Sequence, residues 1–385
     1  MIPRQIAEKL LYFSTKYPIV TLTGPRQSGK STLIRHTFPE YEYVSLEDPD
    51  VLLFAKEDPR LFLQKYNDRI IIDEAQRFPD LFSYLQFHVD TVGKDGMYIL
   101  SGSHNFLLME RISQSLAGRT AILKLLPFSV SELTKAGFSQ QEYYTTLFKG
   151  FYPRIFDKNL SPDEFYPFYV QTYIERDVRL FKNITDLQQF IRFVKMCAGR
   201  VGQVLNLSSL ANECGISQPT AKSWLSILES SYIVYLLKPY YKNFNKRLTK
   251  SPKLYFYDTG LVCSLLGIQT EQDIITHFLK GALFENMMIM DCIKNAFNRS
   301  KEPHIYYWRD HVGNEIDLLQ EKGNELLAYE FKSGTTYSTD FFKVFSYWKK
   351  LTGADKNNIH VVYGGNTSME TKNGALISWR DYIKE

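Results

Sequence analysis

Short apolar runs, each ending in glycine, serine or an acid, punctuate the first third of the chain. Ile19–Thr23 is apolar and β-branched and predicts a buried strand. Tyr43–Leu46, Ile70–Ile72, Met97–Leu100 and Thr120–Leu126 predict further strands of the same kind. An uninterrupted apolar run suits a parallel strand covered on both faces. The order strand, loop, helix, strand, acidic strand, strand, strand predicts a doubly wound α/β domain. Gly150–Asn183 has aromatic residues at mixed spacing and predicts helical packing below that domain, with Arg176 and Asp177 within it. Leu207–Leu225 predicts two helices, and Ser231–Leu237 and Lys253–Tyr257 two strands. The last third predicts a helix over Ala282–Lys294, then strands over Ile305–Arg309, Glu315–Leu319, Leu326–Lys332 and Ile359–Tyr363. The pattern divides the chain into 1–135, 136–260 and 261–385.

Composition narrows the class. The chain has 385 residues, 44% hydrophobic and 23% charged, the balance of a protein with substantial cores. Its longest apolar runs, such as Tyr232–Leu237, fall far short of the roughly 20 residues a membrane span needs. Residues Met1–Leu11 mix charges with apolar positions, an amphipathic helix pattern and not a secretory signal. The four cysteines, Cys197, Cys214, Cys263 and Cys292, have no paired short spacing; a reducing cytoplasm is expected, with no disulfide framework or zinc site. The formal charge of +4 does not select a nucleic-acid partner.

The first strand runs into Gly24, Pro25, Arg26, Gln27, Ser28, Gly29, Lys30 and Ser31, followed by Thr32 at a helix start. Glycines at this spacing, between a strand and a helix, let backbone N–H groups cradle phosphate oxygens at the positive end of the helix dipole. Lys30 is then placed for the β and γ phosphates of ATP, and Ser31 for Mg²⁺. Asp73 and Glu74 end the Ile70–Ile72 run, so both acids are expected at the phosphate crevice. Asp73 suits a direct or indirect magnesium partner, and Glu74 the base that orients water. Ser101, Ser103 and Asn105 follow the next strand and compete for the role of a polar sensor beside the γ phosphate. Arg119 precedes the last strand; a γ-phosphate contact would be made in cis, or in trans within an oligomer.

In the middle, Ala211, Gly215, Ile216 and a Ser217 cap with Pro219 in the first turn match a helix-turn-helix, and the following strands a wing. Gln218, Thr220, Lys222 and Ser223 would face DNA. The segment Tyr240–Lys253 carries cations at Lys242, Lys246, Arg247, Lys250 and Lys253 and no acid, which suits phosphates. A protein-contact role for the same module is the alternative.

Taken together, the chain resembles the bacterial and archaeal AAA-type ATPases fused to a C-terminal domain of unknown function that is itself nuclease-like. The likeness rests on Gly24–Ser31, Ile71–Glu74, Ser101–Ser103, Leu116–Arg119, Pro127–Ser129, Tyr173–Asp177 and Tyr257–Leu261. It continues through Gly281, Phe284–Glu285, Glu315–Asp317 and Glu330–Lys332, and so covers nearly the whole chain. The resemblance implies a restriction-endonuclease-like C-terminal fold with Glu285, Asp317, Glu330 and Lys332 in one site. Acids of such a site hold magnesium, and its lysine positions water. Strand alternation agrees, since Glu330 and Lys332 share a face. The expected activity is Mg²⁺-dependent ATP hydrolysis coupled to a module acting on DNA. The alternatives are a nucleotide-gated nuclease, and a nucleotide-switched protein-binding module with an inactive nuclease fold.

Overall fold

The computed structural model describes residues 2–103, 115–138, 142–174, 186–241 and 250–384. Five strands form the first sheet: β1 (Ile19–Thr23), β2 (Glu42–Ser45), β3 (Ile70–Asp73), β4 (Tyr98–Gly102) and β5 (Thr120–Lys124). Their spatial order is β2-β3-β4-β1-β5, and every neighbouring pair is parallel. Alternate residues feed two separate cores. Val20, Leu22, Ile71 and Ile99 pack with Ile6, Leu10 and Leu33 on one face. Ile19, Ile70, Ile72 and Leu100 pack with Phe62, Phe82 and Leu85 on the other. Coverage on both faces is why the strands read as unbroken apolar runs. Parallel pairing also gathers every carboxyl end on one edge, where the loops after β1, β3 and β4 meet.

A different core begins at Leu126 and continues to Ile383. Within it, the helices Leu207–Cys214 and Gln218–Ser230 are joined through Gly215, which takes φ 67°. The Ser217 hydroxyl accepts from the Thr220 N–H at 3.2 Å, and Pro219 sits in the first turn as expected. β6 (Val234–Leu237) and β7 (Lys253–Phe256) follow as an antiparallel pair. β6 starts later than the apolar run because Tyr232 takes φ 58° and turns the chain.

The remaining strands are β8 (Ile305–Arg309), β9 (Glu315–Lys322), β10 (Glu325–Lys332), β11 (Ile359–Tyr363), β12 (Met369–Glu370) and β13 (Ala375–Ser378). They form a mixed sheet in the order β12-β13-β11-β10-β9-β8. The helix Lys280–Asn298 covers one face with Phe284, Met288 and Ile293. Phe345 and Trp348 cover the other. Among the described residues no helix is long and apolar enough to cross a membrane. Arg176 and Asp177 lie outside the described residues.

The Tyr257–Leu261 motif has a packing explanation. Asp258 is 2% exposed and caps the helix Thr259–Leu266, accepting from the Leu261 N–H at 2.9 Å. It also accepts from the Phe151 N–H and the Tyr166 hydroxyl, each at 2.7 Å, and so ties three segments of the core together. Gly260 is required because a Cβ there would stand 2.4 Å from the Tyr166 hydroxyl. Asp258→Ala leaves the buried Phe151 and Leu261 N–H groups without this acceptor and the Tyr166 hydroxyl with only the Lys149 carbonyl, at 3.2 Å. Each such group costs about 1–3 kcal/mol, so the variant should lose about 3 kcal/mol or more in urea unfolding. An unchanged midpoint would contradict this role.

Candidate functional site

The Gly24–Ser31 loop leaves β1 at the sheet edge and ends in the helix Lys30–Thr37. Gly24 has φ 152°, and a Cβ there would lie 2.0 Å from the Leu125 carbonyl oxygen, so only glycine lets the loop pass β5. Gln27 at φ 60° and Gly29 at φ 90° are both left-handed. That geometry curls successive N–H groups into an anion-binding concavity. Lys30 is buried, and its ammonium donates to the carbonyls of Gly24 at 3.0 Å and Pro25 at 2.9 Å. Ser28 is fully buried, whereas Thr32 faces solvent in the first helical turn. Pro25 and Arg26 complete the loop.

Asp73 closes β3 directly opposite. Its Oδ2 accepts from the Ser31 and Tyr43 hydroxyls, each at 2.6 Å, and its Oδ1 from the Ser101 hydroxyl. Burial, and then Asp73 itself, push the Tyr43 phenol well up, which keeps it a donor. Ser31 and Asp73 offer hydroxyl and carboxylate oxygens, the donor type a small hard cation such as Mg²⁺ takes. Glu74 occupies φ 53°, and its carboxylate accepts from the Gln76 amide and, at 3.4 Å, from the Ser103 hydroxyl. The two described sensor candidates are therefore divided: Ser101 serves Asp73, and Ser103 serves Glu74. Asn105 lies outside the described residues.

Arg119 is a correction. It precedes β5 and so stands at the amino edge of the sheet, opposite the phosphate loop. There its guanidinium grips the exposed Asp90 through two bonds of 2.6 and 2.8 Å. The same-chain γ-phosphate contact has no geometry, because in parallel strands the residues before and after a strand lie at opposite edges. Arg4, by contrast, was not foreseen. It is buried and donates to the Ser28 carbonyl at 2.9 Å, the Leu126 carbonyl at 2.6 Å and Glu132 at 3.0 Å. Nothing but its isolation in an otherwise apolar helix approach marked it in the sequence.

A second polar cluster lies in the C-terminal sheet. The expected Asp317, Glu330 and Lys332 do converge. The Lys332 ammonium donates to Glu330 at 2.5 Å, Asp317 Oδ2 accepts from the Phe331 N–H at 2.9 Å, and Glu330 accepts from the Asp317 N–H at 3.3 Å. Glu285 reaches them from the helix Lys280–Asn298. Between these acids sits Lys253, 2% exposed, with its ammonium 2.9 Å from Glu285, 2.5 Å from Glu315 and 3.7 Å from Asp317. Lys253 is thus corrected from a phosphate-facing cation to a buried counter-ion. Burial disfavours its charge, but Glu285, Asp317 and Glu315 outweigh that and hold its pKa up. Burial pushes the Glu285 and Glu330 carboxyls upward.

Among the described residues, no three acidic, His or Cys side chains are arranged to hold a metal ion. The acids are turned towards two lysines and backbone amides. Tyr255 also donates to Glu285. Strand alternation marks Glu315 beside Asp317 and Tyr255 beside Lys253, but the surrounding run of cations concealed Lys253. Lys253→Met strips the counter-ion from Glu285 and Asp317 and leaves Glu315 with Arg309 alone. It should lose about 3–5 kcal/mol in urea unfolding, the cost of breaking a buried pair from one side. A variant as stable as wild type would contradict the cluster as described.

Residues 16–134 match a family model described as an AAA domain, so the first domain is a P-loop ATPase domain of AAA type. Residues 140–272 and 280–382 match two models, each described as a domain of unknown function. An uncharacterized protein of Mycobacterium tuberculosis is 31% identical over 340 residues, covering 87% of this chain and 75% of that protein. An uncharacterized protein of Haemophilus influenzae is 21% identical over 395 residues, covering 89% and 90%. Among solved structures, the Walker-type ATPase paby2304 of Pyrococcus abyssi aligns with 14% identity and a TM-score of 0.47, over 69% of this chain and 96% of that one.

Proposed function

The chain belongs to the same family as the Mycobacterium tuberculosis protein, and on that premise we propose that it is a Mg²⁺-dependent ATPase whose nucleotide state moves a DNA-acting module. The observation that carries this reading is the convergence of Lys30, Ser31, Asp73 and Glu74 at one edge of the parallel sheet. Lys30 exchanges its loop carbonyls for the β and γ phosphates, and the N–H groups of Gln27–Lys30 cradle the same oxygens. Ser31 and Asp73 hold the magnesium ion, which when bound neutralises the charge of the β and γ phosphates. Glu74, turned by Gln76 and Ser103, orients the attacking water and accepts its proton as the bond from Pγ to the β-phosphate oxygen breaks.

The DNA part of the proposal is supported by the capped helix pair with Gln218 and Lys222 exposed, and Thr220 and Ser223 half-buried, on its second helix. The β6–β7 pair behind it resembles a wing. The C-terminal module resembles a restriction-endonuclease-like fold through Glu285, Asp317, Glu330 and Lys332. One observation favours a second reading in which that module is an inactive nuclease fold serving protein contact. The Lys253 ammonium stands among the acids that a nuclease would offer to metal.

ATP turnover and fluorescent-nucleotide binding, measured with magnesium, test the proposal. Lys30→Ala should lose most binding. Glu74→Gln should bind like wild type yet turn over about 10²-fold or more slower, within the range of general-base contributions. Equal turnover by Glu74→Gln and wild type would remove Glu74 as the base. Stimulation by mixed DNA that weakens with salt supports the nucleic-acid reading. Turnover indifferent to DNA favours the protein-contact reading.

A further inference from the structure

A cavity of about 350 Å³ opens between residues of the helices Val130–Lys135, Tyr143–Lys149, Lys280–Asn298 and Trp379–Tyr382, and shares no lining residue with either polar cluster. Its walls are apolar and aromatic: Leu133, Phe138, Phe156, Trp379 and Ile383. Its rim is cationic, with Lys135, Lys149, Arg299, Arg380 and Lys384, and no acid among the described residues lines it. Asp381, beside Arg380 in the chain, is engaged by Lys384 at 2.8 Å. Two of the cations lie over the aromatic walls. The Lys149 ammonium is 4.9 Å from the Phe156 ring centre, and the Arg380 guanidinium 4.9 Å from that of Trp379.

Volume, apolar walls and a few convergent polar groups are the features of a small-molecule site.

We propose that this cavity binds an organic anion with a hydrophobic body. The apolar portion packs between Phe156 and Trp379, and the anionic head meets the rim cations. Gln5 also lines the cavity, and its N–H shares the Glu132 carboxylate with Arg4, at 2.9 Å. An occupant therefore sits one residue away from the guanidinium that holds the phosphate loop.

The test uses 8-anilinonaphthalene-1-sulfonate, an aromatic sulfonate whose fluorescence reports binding, with the full chain. Wild type should bind it saturably. Decanoate should displace it, while decyltrimethylammonium, with the same chain and the opposite charge, should not. The double variant Lys135→Glu, Lys149→Glu reverses two rim charges and should weaken binding at least tenfold. Circular dichroism should show this variant folded like wild type. Equal displacement by the two amphiphiles, or unchanged affinity in the folded charge-reversal variant, would overturn the proposal.

Discussion

A guanidinium shut away from water must be matched by acceptors or the fold around it fails, and Arg4 places that demand where the structure is most consequential. Its three bonding nitrogens reach the phosphate loop at Ser28, the chain leaving β5 at Leu126, and Glu132 on the helix that follows. Glu132 is in turn saturated by the N–H groups of Gln5 and Ser129, each at 2.9 Å. Next along, the Val130 N–H donates to Asp291 at 2.7 Å, and Lys294 donates to the Phe128 carbonyl at 3.0 Å. A run of buried polar groups thus joins the phosphate loop to the long helix of the C-terminal part. Buried networks of this kind are costly when half satisfied, so they tolerate few alternative arrangements. The phosphate loop and the packing beyond the ATPase domain therefore share one hydrogen-bonded network.

The second constraint is local. Gln27 and Glu74 both take left-handed backbone conformations, at φ 60° and 53°, on the two loops that face one another across the nucleotide site. Non-glycine residues in that region carry strain that the surroundings must hold in place. Here the holding is visible. Lys30 ties down Gly24 and Pro25, and Asp73 collects three hydroxyls from β2, β4 and the phosphate-loop helix. The carboxylate of Glu74 is steered by Gln76 and Ser103 instead of wandering in solvent. Ordering the site before substrate arrives is what a phosphoryl-transfer centre needs, since its chemistry rests on positioning and charge.

What the sequence made legible follows from range. The phosphate loop, the acidic strand end and the capped helix pair are contiguous patterns, so spacing alone exposes them. The parallel sheet followed from apolar runs that only a two-sided strand requires. Long-range pairings were out of reach. Ser101 and Ser103 looked equivalent until β4 was set beside β3, and a same-chain phosphate contact by Arg119 was open until the edge of β5 was known. Lys253 read as one more cation in a basic segment, though its strand turns it into the acids of β9 and the helix Lys280–Asn298. Arg4 has no local signature at all, because its three acceptors lie 24, 122 and 128 residues away. Asp258 sat in a visible motif, but its partners Phe151 and Tyr166 are defined only by the packed core.

The central claim is that the edge formed by Gly24–Ser31 and Asp73 is a magnesium–nucleotide site. Calorimetric titration of the wild-type chain with ATP, once with magnesium and once with a chelator, tests it most directly. Saturable one-site binding is expected with magnesium, weakening strongly when the metal is withdrawn, because Ser31 and Asp73 would then hold no ion to offset the phosphate charge. Absence of binding in magnesium, or equal affinity with and without the metal, would contradict it.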